Sequence, residues 1–177
     1  GIADVGVQDH FFDVGGHSLT GIQLLTRVEQ RFNKAIPLKN LFVAPTIALM
    51  AELIQEKKTL PAFTHLVPVQ PEGERLPIFC VHGDEANNFL PKYLGPDQPF
   101  YAISHQGEDG KPIRLTTVES MAEQFIREIR LVQPHGPYQL SGYSFGGIIA
   151  YEIAQQLLKS GEDVPVLVLF DTYDPKE

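Results

Sequence analysis

The chain has 177 residues, 43% of them hydrophobic, which allows one large domain or two small ones with buried cores. Its net charge of -8, with no Lys/Arg cluster, argues against nucleic acid as a partner. No apolar run approaches membrane-spanning length, Gly1 opens no signal-peptide pattern, and the single Cys80 can form no internal disulfide; a reducing cytoplasm is the expected setting.

From the N-terminus the apolar spacing is helical. Leu19, Ile22, Leu25, Val28 and Phe32 recur every three to four residues and predict an amphipathic helix. A short turn from Leu38 to Phe42 precedes Pro45-Thr46, and Thr46 is placed to cap a helix whose inner face is Ile47, Met50, Leu53 and Ile54. Composition changes near Lys57-Lys58-Thr59-Leu60-Pro61. Beyond it, Leu66-Val67-Pro68-Val69 reads as an edge strand, since proline is confined there within sheets. Ile78 to Val81, Phe100 to Ser104, Tyr138 to Leu140 and Val166 to Phe170 read as further strands. Thr116-x-x-Glu119 predicts a capping box for a helix through Ile129, with Met121, Phe125 and Ile129 on one face. A second helix after Ser144 should run to about Ser160 and stop at Gly161.

Fully apolar strands alternating with helices imply a mostly parallel sheet covered on both faces. Residues 1–58 therefore read as a small helical domain, 59–65 as a linker, and 66–177 as an α/β domain. Lys/Arg and Asp/Glu balance at six each through Lys58, so the negative charge belongs to the α/β part, as a solvated surface. Cys80, inside Ile78-Phe79-Cys80-Val81, reads as a buried strand residue, because an apolar site raises a thiol pKa and leaves it inert. No metal is expected.

Two serines stand in different chemical settings. Ser18 follows Gly15-Gly16-His17 where a loop turns into a helix. The glycines free the loop backbone, and the helix N-terminus favours an attached phosphate. On chemistry alone Ser18 is equally well read as the helix N-cap. Ser144 lies in Gly142-Tyr143-Ser144-Phe145-Gly146, between strand Tyr138–Leu140 and the helix begun by Ile148-Ile149-Ala150. Strand, sharp turn and helix form the setting of a nucleophile elbow, in which the serine oxygen is exposed and helix N–H groups face a developing oxyanion. The acid of such a site should follow at the end of a later strand: Asp171, directly after Val166–Phe170, with Asp174 as a rival. The oxyanion donors are expected to be the backbone N–H groups of Phe145 and, in the loop after Ile78–Val81, of Asp84. His82 opens that loop and precedes the elbow, so it is not the expected base.

The string Asp9-His10-Phe11-Phe12-Asp13-Val14-Gly15-Gly16-His17-Ser18-Leu19 resembles the D-x-F-F-x-x-G-G-H-S-L motif of peptidyl carrier domains in nonribosomal peptide synthetases, over Val5 to about Lys57. The resemblance implies a 4'-phosphopantetheine arm on Ser18 and a surface role for His17. Carrier domains have a long first helix upstream, whereas only Gly1 to Gln8 precede the motif here, so a helical bundle lacking its first helix is expected. From about Leu66 to Pro175 the chain resembles type I thioesterase domains, which are α/β-hydrolases that end nonribosomal peptide and polyketide synthases. The markers are Cys-Val-His-Gly, Gly-Tyr-Ser-Phe-Gly-Gly-Ile-Ile-Ala-Tyr-Glu and Leu-Phe-Asp-Thr. That family's triad runs Ser, Asp, His. Here all six histidines (His10, His17, His65, His82, His105 and His135) precede Ser144. The C-terminal part of the domain, with its lid and last strands, is thus expected to be missing, and the chain is expected to be cut from something longer.

The function so implied is release of an acyl or peptidyl chain. It passes from a phosphopantetheine thioester to the serine nucleophile and leaves by hydrolysis or cyclisation, in nonribosomal peptide or hybrid polyketide biosynthesis. Implied partners are upstream condensation and adenylation domains, a phosphopantetheinyl transferase and the acyl substrate. Two other readings remain: a non-catalytic carrier module that binds other synthetase domains, or an ordinary serine esterase in which Ser18 only caps a helix.

Overall fold

The structure is a computed structural model that describes residues 4–38, 40–55, 64–82, 86–104 and 115–173. The chain divides into two compact units, Gly1–Ala62 and Phe63–Glu177.

The described residues of the first unit form helices α1 (Ser18–Phe32), α2 (Asn40–Val43) and α3 (Ile47–Ile54). Its core is Leu25, Val28, Ile36, Leu41, Ala44, Met50 and Leu53, with Phe11 and Phe12 packed against it. Helix α1 ends where Asn33 turns left-handed (φ 53°), a conformation its short polar side chain tolerates. Thr46 caps α3 as the sequence predicts, its hydroxyl accepting from Leu49 N–H at 3.2 Å. At the other end, Lys34 Nζ donates to the Leu53 carbonyl at 2.8 Å, placing a cation against the negative end of the α3 dipole.

The buried face of α1 differs from the expected one. Leu19 and Ile22 are 61% and 49% exposed. The face turned inward is Gly21–Leu25–Val28, because Gly21 lies directly under Leu41 and Leu38. Ile47, expected on the inner face of α3, is likewise exposed. A groove of about 570 Å³ runs across this unit, lined by Leu24, Val28, Phe32, Ile47, Met50 and Ile54 among others.

The second unit is a five-stranded sheet, β1 (Leu66–Gln70), β2 (Ile78–Val81), β3 (Phe100–Ile103), β4 (Gln139–Tyr143) and β5 (Val166–Phe170). Its order is β1-β3-β2-β4-β5. Only the β1–β3 pair is antiparallel; β3–β2, β2–β4 and β4–β5 are parallel. The proline-bearing β1 is an edge strand, as predicted, with a register irregularity between Pro68 and Gln70.

Helices α5 (Val118–Val132) and α6 (Phe145–Lys159) share one core with the sheet. Phe125, Ile129, Ile149, Ile153 and Leu157 meet Phe79, Val81, Ile103 and Leu140 there. The cap of α5 is Thr117, whose hydroxyl accepts from Ser120 N–H at 3.2 Å, and not the predicted Thr116. Helix α6 closes through Gly161 at φ +83°, as its sequence indicates. Helix α4 (Ala86–Leu94) was not foreseen, because Pro91 lies inside it and proline argues against a helix interior.

Strand β5 is read from the sequence as buried and central in a longer protein. Among the described residues it stands last in the sheet order. Val166 and Val168 are each 40% exposed and Leu169 43%. An all-apolar strand fits burial on both faces, and in the described structure only its β4 side and its contact with α6 are covered.

One buried carboxylate ties this unit together at the start of β1. Glu128, on α5 and 5% exposed, accepts from both His65 N–H and Leu66 N–H at 2.8 Å through Oε2. One carboxylate oxygen thus serves two backbone donors at the entry to the sheet. Glu128→Ala should destabilise the α/β unit by about 3 kcal/mol in urea unfolding, because two buried donors lose a charged acceptor. Glu128→Gln, which keeps one acceptor oxygen, should cost roughly half as much.

Cys80 is fully buried on β2. Burial pushes its thiol pKa up, with the neighbouring Ser141 hydroxyl offsetting part of the effect. The thiol should therefore stay unmodified by a disulfide reagent in native protein and react at once when denaturant opens the sheet, which mass spectrometry of the labelled chain will report.

Candidate active site

Parallel strands β2, β4 and β5 end on the same side of the sheet, and each ends in a residue forced into the left-handed region: His82 (φ 56°), Ser144 (φ 52°) and Asp171 (φ 46°). Non-glycine residues adopt such angles at a cost and cluster where function demands them. The carboxyl ends of parallel strands are also where open α/β sheets bind ligands.

Ser144 forms the turn between β4 and α6, with φ 52° and ψ -122°. The turn is tight enough to exclude side chains on either side of it. A Cβ on Gly142 would collide with the Gly146 carbonyl, and one on Gly146 would collide with the Val81 carbonyl. The elbow therefore rests backbone-on-backbone against the end of β2. Phe145 is the first residue of α6, so its N–H lies in the helix turn that no intrahelical carbonyl reaches. That is the geometry asked of an oxyanion donor.

Asp171 follows β5 and is exposed. Tyr143, the residue before Ser144, donates from its hydroxyl to Asp171 Oδ2 at 3.5 Å. The strand register and this bond bring the predicted nucleophile and the predicted acid to one place. The His82 ring stands 6.0 Å from that of Phe145. Its backbone N–H donates to the Ile103 carbonyl at 3.0 Å, so this loop residue is anchored to β3. Asp84, the other expected oxyanion donor, and Asp174, the rival acid, lie outside the described residues.

The sequence reasoning passed over Tyr143 and Thr172. Thr172 Oγ1 lies 3.3 Å from the Ser144 carbonyl and 3.1 Å from the Phe170 carbonyl. No local sequence pattern signals Thr172, because its hydroxyl meets a backbone carbonyl of another strand end.

In the helical unit, Ser18 is the first residue of α1, and His17 holds the cap position. The reading of Ser18 as a mere N-cap is thereby corrected by one residue. The loop before it is built from the rest of the motif. Gly15 takes φ +90°, and Gly16 N–H donates to the Phe11 carbonyl at 2.9 Å. A Cβ on Gly16 would collide with Phe11. Phe12 stacks on Phe42 at 5.0 Å. The aromatic pair holds the loop while His17 stays exposed. A residue at the first turn of a 15-residue helix, behind an exposed glycine, fits a phosphodiester-linked arm.

A family model described as "Thioesterase domain" matches residues 77–177, and one described as "Phosphopantetheine attachment site" matches residues 1–54. Over 173 residues the chain is 38% identical to a dimodular nonribosomal peptide synthase of Bacillus subtilis (strain 168), covering 96% of this chain and 7% of that protein. A solved four-domain nonribosomal peptide synthetase bound to AMP and glycine superposes with TM-score 0.59 at 30% identity, over 97% of this chain and 13% of that one. The NocB thioesterase domain, solved as a covalent complex with a fluorophosphonate nocardicin G analogue, superposes with TM-score 0.52 at 30% identity, over 62% of this chain and 49% of that one. The chain thus spans a small part of the length of its curated relative. With a phosphopantetheine attachment-site match directly ahead of it, the thioesterase match covers more than half of the chain, which belongs to the thioesterase domain family and is similar to nonribosomal peptide synthetases.

Proposed function

We propose that this chain is the carrier-plus-thioesterase segment of a nonribosomal peptide synthetase and serves the release of the finished product. The observation that carries the reading is Ser144 on a strained strand–turn–helix elbow, with Asp171 at the end of the adjacent parallel strand. Residues 1–58 act as the carrier, 59–65 as the linker and 66–177 as part of the thioesterase domain. Ser18 is the attachment residue.

The 4'-phosphopantetheine arm supplies a thioester, whose carbonyl is more easily attacked than an ester's and whose thiolate is a good leaving group. Ser144 Oγ attacks that carbonyl while a base takes its proton. Phe145 N–H, and Asp84 N–H in the loop after β2, hold the oxyanion. Asp171 orients the base and stabilises its protonated form. The C–S bond breaks, leaving an ester on Ser144, which water or an internal nucleophile of the acyl chain then cleaves. No histidine of this sequence follows Asp171, so the base of the family's Ser–Asp–His order is not among residues 1–177. Upstream condensation and adenylation domains deliver the chain to the arm, and a phosphopantetheinyl transferase installs the arm. The setting is cytoplasmic; among the described residues no helix is long and apolar enough to cross a membrane.

Incubation of the intact polypeptide that carries this sequence with coenzyme A and a phosphopantetheinyl transferase should add one arm at this site, seen as a mass increment that Ser18→Ala abolishes. A folded polypeptide whose mass gain is unaffected by Ser18→Ala, or that gains none, would overturn the carrier reading.

The 177-residue chain should hydrolyse an acyl thioester on the order of a thousandfold more slowly than a version extended past Glu177 to include a histidine, because a serine hydroxyl needs a base within reach. Rates are compared against Ser144→Ala in each. Robust Ser144-dependent turnover by the shorter chain would refute this and point to His82 as the base.

A further inference from the structure

The acid is threaded between two residues that each bond the backbone of the nucleophile. Before Asp171, the Phe170 carbonyl accepts from Ser144 N–H at 2.8 Å. After it, the Thr172 hydroxyl reaches the Ser144 carbonyl at 3.3 Å and the Phe170 carbonyl at 3.1 Å. Both carbonyls, one from each strand end, lie within hydrogen-bond reach of that one hydroxyl. The Ser144 carbonyl also accepts from Gly147 N–H at 3.0 Å. The seat for the hydroxyl exists because residue 147 has no side chain, since a Cβ there would overlap Thr172 Oγ1. Ser144 and Asp171 are both in the left-handed region, so each needs its neighbours to hold its backbone angles.

Resting on the thioesterase reading above, we propose that Thr172 is a positioning residue: its hydroxyl bridges the ends of β4 and β5 and so fixes Asp171 relative to Ser144. Strand pairing alone fixes only the residue before the acid. The Thr172 bridge fixes the residue after it, so the acid is held from both sides, with Oδ2 accepting from the Tyr143 hydroxyl at 3.5 Å and Oδ1 left to face a base. Thr172→Val keeps the volume against Gly147 and removes the donor. The Ser144 carbonyl retains Gly147 N–H, so the elbow itself stays bonded.

The test is turnover of an acyl N-acetylcysteamine thioester by the intact polypeptide that carries this sequence, with Ser144→Ala as the control. Thr172→Val should lower kcat by about tenfold or more, with KM unchanged within about twofold, because a misplaced orienting group costs rate and not ground-state binding. Thr172→Ser should restore most of the loss. A carboxylate facing an imidazolium raises its pKa. Loosening Asp171 should therefore move the acidic limb of the kcat/KM profile to lower pH by about half a unit. A purely structural threonine would lower the melting temperature and leave that limb in place. If Thr172→Val fails to fold, Thr172→Ala against Thr172→Ser makes the same comparison. Ser144-dependent turnover whose rate and pH limb ignore loss of the hydroxyl overturns the positioning role alone. Turnover that ignores Ser144→Ala overturns the thioesterase reading, and this role with it.

Discussion

The α/β unit depends on one close approach, the seating of the β4–α6 turn against the end of β2. Three glycines make it. Gly142 and Gly146 let the turn fold onto itself and onto the Val81 carbonyl, and Gly147 admits Thr172. Any side chain at these positions forces the helix away from the sheet. Helix α6 would then lose the contacts that bury Ile149, Ile153 and Leu157. The geometry that presents Ser144 is thus the same geometry that closes the core, and the site is not a surface addition to a finished fold.

Strain at the strand ends is carried by that core. His82, Ser144 and Asp171 each hold a backbone conformation costing about 1–3 kcal/mol. They persist because the strands behind them are locked in parallel register over several residues, β2 and β4 being packed in the core with α5 and α6. The helical unit solves a different problem. Its attachment loop is held by Phe11 and Phe12 packed on a small core, with left-handed Gly15 ahead of the helix. Neither solution requires the other, in keeping with two units that differ in composition and in charge.

Much of this was legible beforehand, for identifiable reasons. Apolar runs with punctuation gave the five strands to within a few residues, and Pro68 correctly marked β1 as an edge. Gly142 and Gly146 around Ser144 signalled the elbow because few other uses need that spacing between a strand and a helix. Periodicity failed where it could not distinguish a face from its neighbour. Leu19 and Ile22 obey the helical spacing as well as Leu25 and Val28 do, and only the position of Leu41 over Gly21 decides which set turns inward. Helix α4 was hidden by Pro91. Thr172 was invisible for a deeper reason: its partners are carbonyls of two strands, and hydrogen bonds to a distant backbone leave no trace in local sequence pattern.

The exposed strand β5 bears on how this polypeptide is made. Once β5 has left the ribosome and paired with β4, the sheet formed by the described residues shows the solvent a ribbon of valine and leucine. Such ribbons pair readily with one another. Neighbouring ribosomes on one message hold identical nascent chains close together, and there the ribbon is a hazard until it is covered. Translation speed past this point, and shielding by a holdase chaperone, then become part of what sets the yield of folded protein.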